Sequence, residues 1–341
     1  MKNILLIFFM FSCSLLQGQT ELKMNILFWN VENLFDSKHD SLKNDIDFLP
    51  QSLKHWTFKK YRKKLQSIAK GIATAGEWLP PALVGLCEVE NDSVIFDLTQ
   101  RTNLNALGYK YIVTNSKDIR GIDVALLYQP EHFKLIYTQN ISVGMLKKGN
   151  RPTRDILHAT GLVISGDTLD LFITHLPSRF GGQKASEPNR IQASSILKQH
   201  IDSILIIRKE PHIIIMGDFN DYPQNKSVKD VLKAQSPNTI IQKGQLYHLL
   251  ARKRTKYNWG TYKYKNEWGI LDHFIVSGSL LDSTKTCFTS EEKTKIVKSP
   301  FLLIKDLKYG GYKPFRTYNG MHYQGGYSDH LPIISTFTLK L

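Results

Sequence analysis

The sequence predicts a mixed α/β (α+β) fold, because short apolar runs of the kind found in strands are interspersed with two helical patterns. The helical patterns cover Phe58–Thr74 and Glu187–Ile207, where apolar residues recur at helical spacing. Strands and helices follow one another without strict alternation, which is typical of an α+β body. The strand-like runs are rich in Val, Ile and Phe and are bounded by turn residues; they lie at 25–30, 82–89, 123–128, 158–164, 169–176, 212–220, 270–277 and 331–339.

The composition is that of a folded, basic protein. Of the 341 residues, 42% are hydrophobic and 11% are aromatic, which is enough apolar material for a packed core and excludes wholesale disorder. The 45 Lys and Arg residues outnumber the 30 Asp and Glu residues, so the formal net charge is +15. Basic clusters lie at 59–64, 252–257 and 305–316. Such charge favours a polyanionic partner but also serves solubility, and by itself it leaves both interpretations open.

The N-terminus has the order of an export signal. Lys2 is followed by an apolar run from Ile4 to Leu16 and then by polar residues, and the run is too short to span a bilayer. We therefore predict that residues 1–18 are a cleaved signal peptide, that residues 19–341 form a single domain, and that the protein is periplasmic or extracellular. Lipidation of Cys13 is the less favoured alternative. No later segment is apolar enough to cross a membrane, so no stable membrane insertion is expected after signal removal.

Two cysteines remain in the predicted mature chain, Cys87 and Cys287. Export permits a disulfide between them. Cys87 lies within an apolar strand-like run, where a buried thiol is the commoner state, and no spacing resembles a zinc site. We therefore expect two free thiols.

Polar residues able to bind a metal or to transfer a proton stand at the ends of several apolar runs. A carboxylate beside a buried strand is costly unless it is paired or coordinated. Any one of these residues could cap a helix or a turn, but such residues at six strand ends indicate a shared site. In GDFND, Asp218 and Asn220 are two positions apart and therefore face the same side of an extended segment. The full set is Asn30, Glu32, Glu88, Glu90, His175, Asp218, Asn220, Asp272, Asp329 and His330.

This set of residues suits metal-assisted transfer of a phosphoryl group. Mg²⁺ takes carboxylate and amide oxygens together with water and phosphate oxygens. Such an ion polarises a phosphoryl oxygen, and a His oriented by a carboxylate can take the proton of an attacking water. The sequence contains no Gly-rich phosphate-binding loop with a Lys, no GxSxG and no HExxH. We expect Mg²⁺ as the cofactor, with Mn²⁺ or Ca²⁺ as alternatives.

Seven motifs together resemble the endonuclease/exonuclease/phosphatase superfamily, the group of deoxyribonuclease I, exonuclease III and the neutral sphingomyelinases. Each motif alone is weak, but all occur in the order of that family and extend over nearly the whole predicted mature chain. The resemblance implies a four-layered sandwich of two mixed β-sheets flanked by helices, in one domain. The motifs are WNVEN (29–33), LCEVEN (86–91), RGIDVALLY (120–128), THLPSR (174–179), GDFND (217–221), LDHFIV (271–276) and YSDHLPI (327–333).

The resemblance implies which residues hold the metal. Glu88 matches the principal metal ligand of the family. Asn30 and Glu32 match the first motif, where the Asn helps to hold the metal and the acidic residue can take part in a second metal position. Asp329, in the final motif, matches a metal ligand or an orienting residue.

The resemblance also implies catalytic roles. Asp218 matches a residue that orients or activates the attacking water, and Asn220 matches one that contacts the scissile phosphate. His330 matches either the general base or a phosphate-stabilising imidazolium, and Asp272 matches the Asp that supports it. His175 matches a His of the deoxyribonuclease and sphingomyelinase branches, a candidate general acid for the leaving oxygen. Exonuclease III-type repair enzymes lack that His, so its presence argues against a role in abasic-site repair.

Further residues have open assignments. Arg154 resembles an Arg that binds substrate phosphate in the deoxyribonuclease branch, but it could equally be a surface Arg. Asp123 could orient His175 or could be a structural turn acid. His273 stands where many relatives carry an Arg, and we expect it to be structural. Residues just before the final motif are expected near the site: Lys313, Arg316, Tyr318 and Tyr323.

These features predict a secreted, metal-dependent phosphodiesterase that acts on nucleic acid, DNA or RNA, as an endonuclease. The alternative is a phosphodiesterase or phosphatase that acts on a lipid or small phosphorylated headgroup, since a fold and a metal centre do not define the substrate. A non-catalytic binding protein on the same scaffold is disfavoured, because none of the motif's catalytic residues is missing. We expect a monomer without a protein partner.

Overall fold

The computed structural model describes residues 20–238, 240–253 and 259–341. The predicted signal peptide at 1–18, Cys13 included, lies outside these residues, as does the 254–257 part of the second basic cluster. Within the described ranges, no helix combines the length and the apolar character that a membrane span requires.

Strands predominate in the described chain. The helices are α1 (Phe58–Thr74), α2 (Asp92–Gln100) and α3 (Gln183–Ile207). The strands are β1 (Glu21–Leu34), β2 (Leu83–Val89), β3 (Lys110–Val113), β4 (Asp123–Tyr128), β5 (Phe133–Ile141), β6 (Ile156–Val163), β7 (Thr168–His175), β8 (His212–Asp218), β9 (Leu246–His248), β10 (Tyr262–Tyr264), β11 (Glu267–Gly269), β12 (Asp272–Ser277), β13 (Cys287–Phe288), β14 (Thr294–Ile296), β15 (Leu303–Lys305), β16 (Tyr312–Pro314), β17 (Tyr318–Asn319), β18 (His322–Tyr323) and β19 (Ile333–Lys340).

Two large mixed sheets contain most of these strands. The first has the order β13–β19–β1–β2–β4–β3, with β14 also paired to β19, and the second has the order β5–β6–β7–β8–β12–β9. Each sheet has a central parallel pair, β1 with β2 and β7 with β8, between antiparallel neighbours. The carboxyl ends of both strands in each parallel pair therefore lie at the same edge of the sheet.

The two sheets pack face to face around the main core. A Cβ placed on Gly85 of β2 would lie 3.1 Å from the side chain of Met216 of β8, so the sheets approach closely there. Met216 belongs to the main core cluster, whereas its neighbour Ile215 belongs to a second cluster with Leu197 of α3. Because side chains alternate between the faces of a strand, β8 is buried on both sides.

Helix α1 covers the outer face of the first sheet. Its residues Leu65, Ile68 and Ile72 are buried. A Cβ on Gly71 would meet the ring of Trp29 at 2.5 Å, so the helix lies directly on β1. The resulting order of layers is helix, sheet, sheet, helix, which confirms the predicted four-layered sandwich.

The predicted elements are present, with changes mainly at their ends. Helix α1 covers 58–74 as predicted, and Thr57 caps it by accepting a hydrogen bond from the amide of Lys60. Helix α3 begins at Gln183 rather than at Glu187. Strand β5 was not predicted, because it is an edge strand whose residues are mostly exposed and show no apolar alternation.

Cys87 of β2 and Cys287 of β13 are both buried, and both are free thiols. The predicted absence of a disulfide between them is confirmed.

Candidate active site

The predicted site residues converge at one edge of the two sheets. In the first sheet, Asn30 of β1 lies beside the end of β2, where Glu88 stands. In the second sheet, His175 of β7 is the register partner of Asp218 of β8, and Asp218 in turn pairs with Asp272 of β12. The polar side chains at the strand ends of both sheets therefore lie in one cluster.

Asp218 connects groups from both sheets. Its Oδ2 accepts a hydrogen bond from Asn30 Nδ2 at 2.9 Å. The Nε2 atoms of His175 and His330 lie 3.7 and 3.8 Å from the same oxygen. The backbone amide of Asn220 donates to the other oxygen at 2.8 Å. Burial raises the pKa of Asp218 to about 7, although the neighbouring His330 opposes the shift.

His330 and Asp272 form a carboxylate–imidazole pair. Nδ1 of His330 lies 2.7 Å from Asp272 Oδ2, which leaves Nε2 directed towards Asp218. Burial alone lowers the pKa of His330, but the carboxylates of Asp272 and Asp218 outweigh burial and raise it well above its usual value. Tyr262 packs against the imidazole with ring centroids 4.9 Å apart, and Trp29 Nε1 donates to the carbonyl of His330 at 2.9 Å. These contacts hold the ring in one orientation.

Glu88 approaches the same point from the first sheet. Its Oε2 accepts a hydrogen bond from the amide of Asn33 at 2.9 Å. Its Oε1 lies 3.4 Å from Asn30 Nδ2 and 3.9 Å from His175 Nε2. Since Asn30 also binds Asp218, one amide group joins the glutamate of the second motif to the centre of the site. Glu88 and His330 therefore lie in one cluster, as the sequence predicted.

Backbone strain is concentrated at these strand ends. Glu32, Asn33, Glu88 and Asn220 have positive φ angles of 51°, 52°, 61° and 50°. A non-glycine residue in this left-handed region costs about 1–3 kcal/mol and persists only where its surroundings hold it. Such strain is typical of a functional site, where side chains must point in directions that a regular strand does not provide.

Arg316 joins Glu32 and Asp329. Its Nη2 lies 3.0 Å from Glu32 Oε1 and 3.1 Å from Asp329 Oδ2. The backbone amide of Thr317 donates to the other oxygen of Glu32 at 2.7 Å. Burial, and then the charge of Asp329, raise the pKa of Glu32 to about 7. Two carboxylates predicted as metal ligands are thus engaged by a guanidinium.

Lys64 is buried next to this ion pair. Its side chain was expected on the basic surface at 59–64, and that prediction is wrong, because Lys64 is only 1% exposed. Its Nζ donates to Thr317 Oγ1 at 2.6 Å and to the carbonyl of Tyr327 at 2.5 Å. Burial lowers the pKa of Lys64 to about 8, although Glu32 opposes the shift. Helix α1 is therefore tied to the segment that precedes the final motif.

His175 is buried beside two arginines. Burial, followed by the charges of Arg154 and Arg120, holds the pKa of His175 well below its usual value. Asp123, one candidate to orient His175, accepts hydrogen bonds from Thr114 Oγ1 at 2.6 Å and from the backbone amide of residue 116 at 3.0 Å instead. The structural alternative for Asp123 is the one that the geometry favours.

The two candidates for phosphate contact meet at one carbonyl group. Arg154 Nη2 donates to the carbonyl of Leu176 at 2.7 Å, and Asn220 Nδ2 donates to the same carbonyl at 3.1 Å. Arg154 is 7% exposed and its Nη1 lies 3.4 Å from Asp118 Oδ2. It is therefore an interior residue beside the site and not a surface Arg.

His273 is structural, as expected. Its Nε2 lies 2.9 Å from the carbonyl of Asp221, its Nδ1 lies 2.9 Å from His248 Nε2, and its ring stacks on Phe219. Of the residues expected near the site because they precede Asp329, Arg316 reaches it, whereas Lys313 lies 3.7 Å from Asp306.

Tyr318 and Tyr323, the other two residues expected near the site because they precede Asp329, lie next to each other. The rings of Tyr318 and Tyr323 are 5.3 Å apart. Tyr318 lines a cavity of about 180 Å³ that Glu32 and Arg316 also line. Tyr318 therefore adjoins the site through this cavity.

The donor set fits a divalent ion best at Glu88. Side-chain ligand atoms of Asp218, Asp272 and His330 lie within 4.8 Å of one another, but the His330–Asp272 hydrogen bond occupies one oxygen and one nitrogen of that group. Glu88 Oε1 has only longer contacts, and the side chain is 14% exposed. Hard divalent ions prefer such carboxylate oxygens, with amide oxygens and water completing the shell. Glu88 and Asn30 are therefore suited to hold the ion.

Sequence reasoning missed further arginines around the site. Arg120 Nη2 donates to Asn33 Oδ1 at 2.6 Å, and Arg179 Nε donates to the carbonyl of Asn220 at 2.5 Å. Both arginines belong to quoted motifs, RGIDVALLY and THLPSR, and their charge beside proposed catalytic groups was the available signal. With Arg154 they place three guanidinium groups around the cluster.

A two-sheet sandwich with carboxylate, amide and imidazole groups at one edge defines the deoxyribonuclease I-like class of phosphoesterases. The model of the Endonuclease/Exonuclease/phosphatase family matches residues 25–338, and this chain belongs to that family. Members of the family are phosphoric-ester hydrolases that depend on a divalent metal.

Solved structures share the fold at low sequence identity. An endonuclease/exonuclease/phosphatase family protein from Bacteroides thetaiotaomicron is 14% identical, with a TM-score of 0.56 over 95% of this chain and 98% of that chain. D. rerio TDP2 complexed with a single-strand DNA product is 15% identical, with a TM-score of 0.54 over 92% and 98%. The mannosyl-6-phosphatase of Bacteroides thetaiotaomicron VPI-5482 is 14% identical, with a TM-score of 0.54 over 93% and 99%. No curated protein matches the chain.

Proposed function

We propose that the mature chain is an exported, divalent-metal-dependent phosphodiesterase that cleaves nucleic acid as an endonuclease. The observation that carries the proposal is the meeting of Glu88, Asp218 and His330, from two different sheets, around the amide of Asn30. Phosphoryl transfer depends mainly on positioning and on stabilisation of charge, and this cluster supplies both.

The titratable groups of the site differ in protonation state near neutral pH, and therefore in the role that we assign to each. Asp218, whose pKa is about 7, can take a proton from an attacking water near neutral pH. His330, whose pKa the adjacent carboxylates raise, faces the phosphate as an imidazolium. His175 stays neutral because its pKa is held low, so we assign it a hydrogen bond to a phosphate oxygen in place of the expected proton donation. Asn220 and Arg154 contact the phosphate beside it.

Mg²⁺ is the ion that we propose, held by Glu88 with help from Asn30. When bound, the ion supplies a Lewis acid that polarises a phosphoryl oxygen. Glu32 and Asp329, the other expected ligands, instead hold Arg316 at the edge of the site. In this proposal a guanidinium, and not a second ion, binds these two carboxylates.

The charge of the chain supports a polyanionic substrate. The formal net charge is +15, and three arginines surround the cluster at His175 and Asn220. A polynucleotide presents repeated phosphates to such a surface, and its binding gains from the release of counterions. The TDP2 neighbour, which holds a single-strand DNA product, shows that this fold accommodates a nucleic acid.

The test is cleavage of purified DNA and RNA at low salt by the protein without residues 1–18. We expect cleavage with Mg²⁺ or Mn²⁺, loss of cleavage in EDTA, and loss in the Glu88→Ala variant that added Mg²⁺ partly restores. Arg101→Ala serves as a matched control, because Arg101 is an exposed residue directly after α2 that pairs with Asp97. If neither polymer is cut with Mg²⁺ or with Mn²⁺, the proposed substrate class is wrong.

A phosphatase acting on a small phosphorylated sugar is the second candidate. It is favoured by the mannosyl-6-phosphatase neighbour, which has the same fold over nearly its whole length. The same groups would act on a monoester, with the substrate pocket deciding the specificity. Release of inorganic phosphate from sugar phosphates without cleavage of DNA or RNA would favour this alternative, whereas release of phosphocholine from a lipid would indicate a phosphodiesterase that acts on a lipid headgroup.

Export is the remaining part of the proposal. It is supported by the charged, apolar and polar order of residues 2–23. Expression of the full chain in a bacterium, followed by fractionation and N-terminal sequencing, should give an N-terminus near residue 19 in the periplasm or medium. A cytoplasmic chain that retains residues 1–18 would contradict export.

A further inference from the structure

A cavity of about 240 Å³ adjoins the candidate active site on the side of His175. Three arginines and one carboxylate line it, so its wall has a net positive charge. Its volume is below the roughly 300–1,000 Å³ of sites for drug-sized ligands, which suits a small charged group. The lining residues used below are Asp118, Arg120, Arg151, Thr153, Arg154 and Phe180.

Two of the arginines connect this cavity to the site. Arg154 Nη2 donates to the carbonyl of Leu176, the residue that follows His175, at 2.7 Å. Arg120 Nη2 donates to Asn33 Oδ1 at 2.6 Å, and the amide of Asn33 donates to Glu88 Oε2 at 2.9 Å. A ligand in the cavity would therefore contact residues that are themselves hydrogen-bonded to the neighbours of Glu88 and His175.

Donors in the wall of the cavity are left without acceptors. Arg154 Nε and Thr153 Oγ1 are buried and have no hydrogen-bond partner among the described residues, and the two side chains are 7% and 3% exposed. Asp118 does not satisfy them, because its Oδ1 accepts from the amide of Arg120 at 2.9 Å and its Oδ2 lies 3.4 Å from Arg154 Nη1. Buried polar atoms are almost always paired, so these two groups leave hydrogen-bonding capacity in the wall of the cavity, which its three arginines make suitable for an anion.

Lys43 adds a further positive charge beneath the loop at 116–120. Its Nζ donates to the carbonyls of Ser116 and Asp118 at 2.7 and 3.1 Å. At the mouth of the cavity, Phe180 is 82% exposed, and Arg151 is also exposed. An exposed aromatic ring beside a guanidinium suits a ligand that joins a flat ring to an anion.

We propose that this cavity binds a second, non-scissile phosphate of the substrate, with Phe180 packing against the ring that carries it. The inference rests on the proposed function, because it names the substrate of the same site. The shared chemistry is a second phosphate monoester or diester on the sugar that carries the reacting phosphate. A neighbouring phosphate of a polynucleotide and the second phosphate of a phosphorylated sugar both provide it.

The test compares two chromogenic substrates that differ only in the second phosphate. They are thymidine 5′-(p-nitrophenyl phosphate) and its 3′-phosphorylated form, and both release p-nitrophenolate. We expect a KM about tenfold lower for the 3′-phosphorylated form, as for a charge-assisted contact with phosphate. Arg151→Ala should bring the ratio of the two KM values close to one, Arg151→Lys should retain part of it, and Arg101→Ala should leave it unchanged.

The outcomes separate this inference from the proposed function. Cleavage of both substrates with equal KM, and a ratio that Arg151→Ala does not alter, overturns the second-phosphate site alone. If neither substrate is cleaved, the phosphodiesterase proposal fails, and calorimetry with thymidine 3′,5′-bisphosphate still tests the cavity. Binding that is tighter than for thymidine 5′-monophosphate and is lost in Arg151→Ala supports the site, and equal binding of the two overturns it.

A second pair of substrates distinguishes the two sources of the phosphate. Fructose 1,6-bisphosphate is compared with fructose 6-phosphate by release of inorganic phosphate. A preference for the bisphosphate that Arg151→Ala abolishes assigns the cavity to phosphorylated sugars. A preference confined to the thymidine pair assigns it to the neighbouring phosphate of a nucleic acid.

Discussion

Arg316 forms an ion pair with Glu32, with Nη2 3.0 Å from Oε1. The same Nη2 lies 3.1 Å from Asp329, so one guanidinium is shared by two carboxylates that the family resemblance assigns to metal binding. Since Thr317 donates its amide to the remaining oxygen of Glu32, that carboxylate is fully engaged by the protein. This arrangement separates Glu32 from Glu88 in function, although both lie near the ends of strands of the first sheet.

The first prediction concerns metal stoichiometry. We expect one divalent ion per chain, because Glu88 is accessible to an ion while Arg316 engages Glu32 and Asp329. Arg316→Ala should release the two carboxylates and create a second, weaker site. Titration with Mn²⁺ followed by electron paramagnetic resonance counts the ions without any need for turnover. Two equivalent ions in the wild-type protein would contradict the prediction, and Glu88→Gln should abolish the first site.

The second prediction concerns the His330–Asp272 pair. Because His330 is proposed to stabilise charge on the phosphate as an imidazolium, His330→Ala should lower kcat by about 10²- to 10³-fold, the usual effect of removing one such contact. Asp272→Asn should have a smaller effect in the same direction, because the amide keeps the geometry but does not stabilise the imidazolium. Circular dichroism of both variants checks that the fold is intact. A kcat close to that of the wild type for His330→Ala would show that the catalytic assignment is wrong.

The third prediction concerns pH and stability in EDTA. Burial raises the pKa of Asp218 from its ordinary 3.8, and that of Glu32 from its ordinary 4.5, to about 7. A group with a raised pKa in the folded state stabilises the fold below its ordinary pKa, and this contribution is lost as the pH rises through the folded value. We therefore expect the Tm in EDTA to fall between about pH 4 and pH 7.

Mg²⁺ held at Glu88 should counter the Asp218 part of this loss, because Asn30 joins Glu88 to Asp218 and the ion therefore lies near the deprotonated carboxylate. The rise in Tm on addition of Mg²⁺ should therefore be larger at pH 7.5 than at pH 5, as measured by differential scanning fluorimetry. An increment that is the same at both pH values would contradict the coupling.

The fourth prediction concerns Lys64, which is buried where a surface residue was expected. Lys64→Met leaves Thr317 Oγ1 and the carbonyl of Tyr327 without their donor, so we expect a loss of about 1–3 kcal/mol in the free energy of unfolding. Lys63→Ala, one position earlier and exposed, is the matched control and should change stability little. Urea denaturation measures both. Equal effects of the two substitutions would refute the structural role of Lys64.

The fifth prediction concerns salt. If the substrate is a polynucleotide, its KM should rise steeply with ionic strength, because each phosphate contact releases a counterion. Replacing Lys59 and Lys63, the exposed members of the basic cluster on α1, should reduce the slope of log KM against log salt. An unchanged slope would remove this cluster from the binding surface, and no salt dependence at all would favour a small substrate.

Much of the fold could be predicted because local sequence patterns, such as apolar runs and helix caps, indicate its strands and helices. The apolar runs at 82–89 and 123–128 form strands because their Val and Leu side chains are buried on both faces. Helix α1 begins and ends as predicted because Thr57 caps it and its apolar stripe meets β1. Polar residues placed where buried strands end predicted a shared site, since strand ends of packed sheets meet at one edge.

The sequence by itself determined the layers of the sandwich and the membership of the cluster from Asn30 to His330. The tertiary structure alone decided that Lys64 is interior, that Arg316 holds Glu32 and that a basic cavity adjoins His175. The physical reason is the distance along the chain over which these contacts form: Lys64 and Thr317 are 253 positions apart, and no local periodicity reports on such a partner. Charge and burial at those positions depend on the segments that fold against them, so the residues there could be named from the sequence but their partners could not.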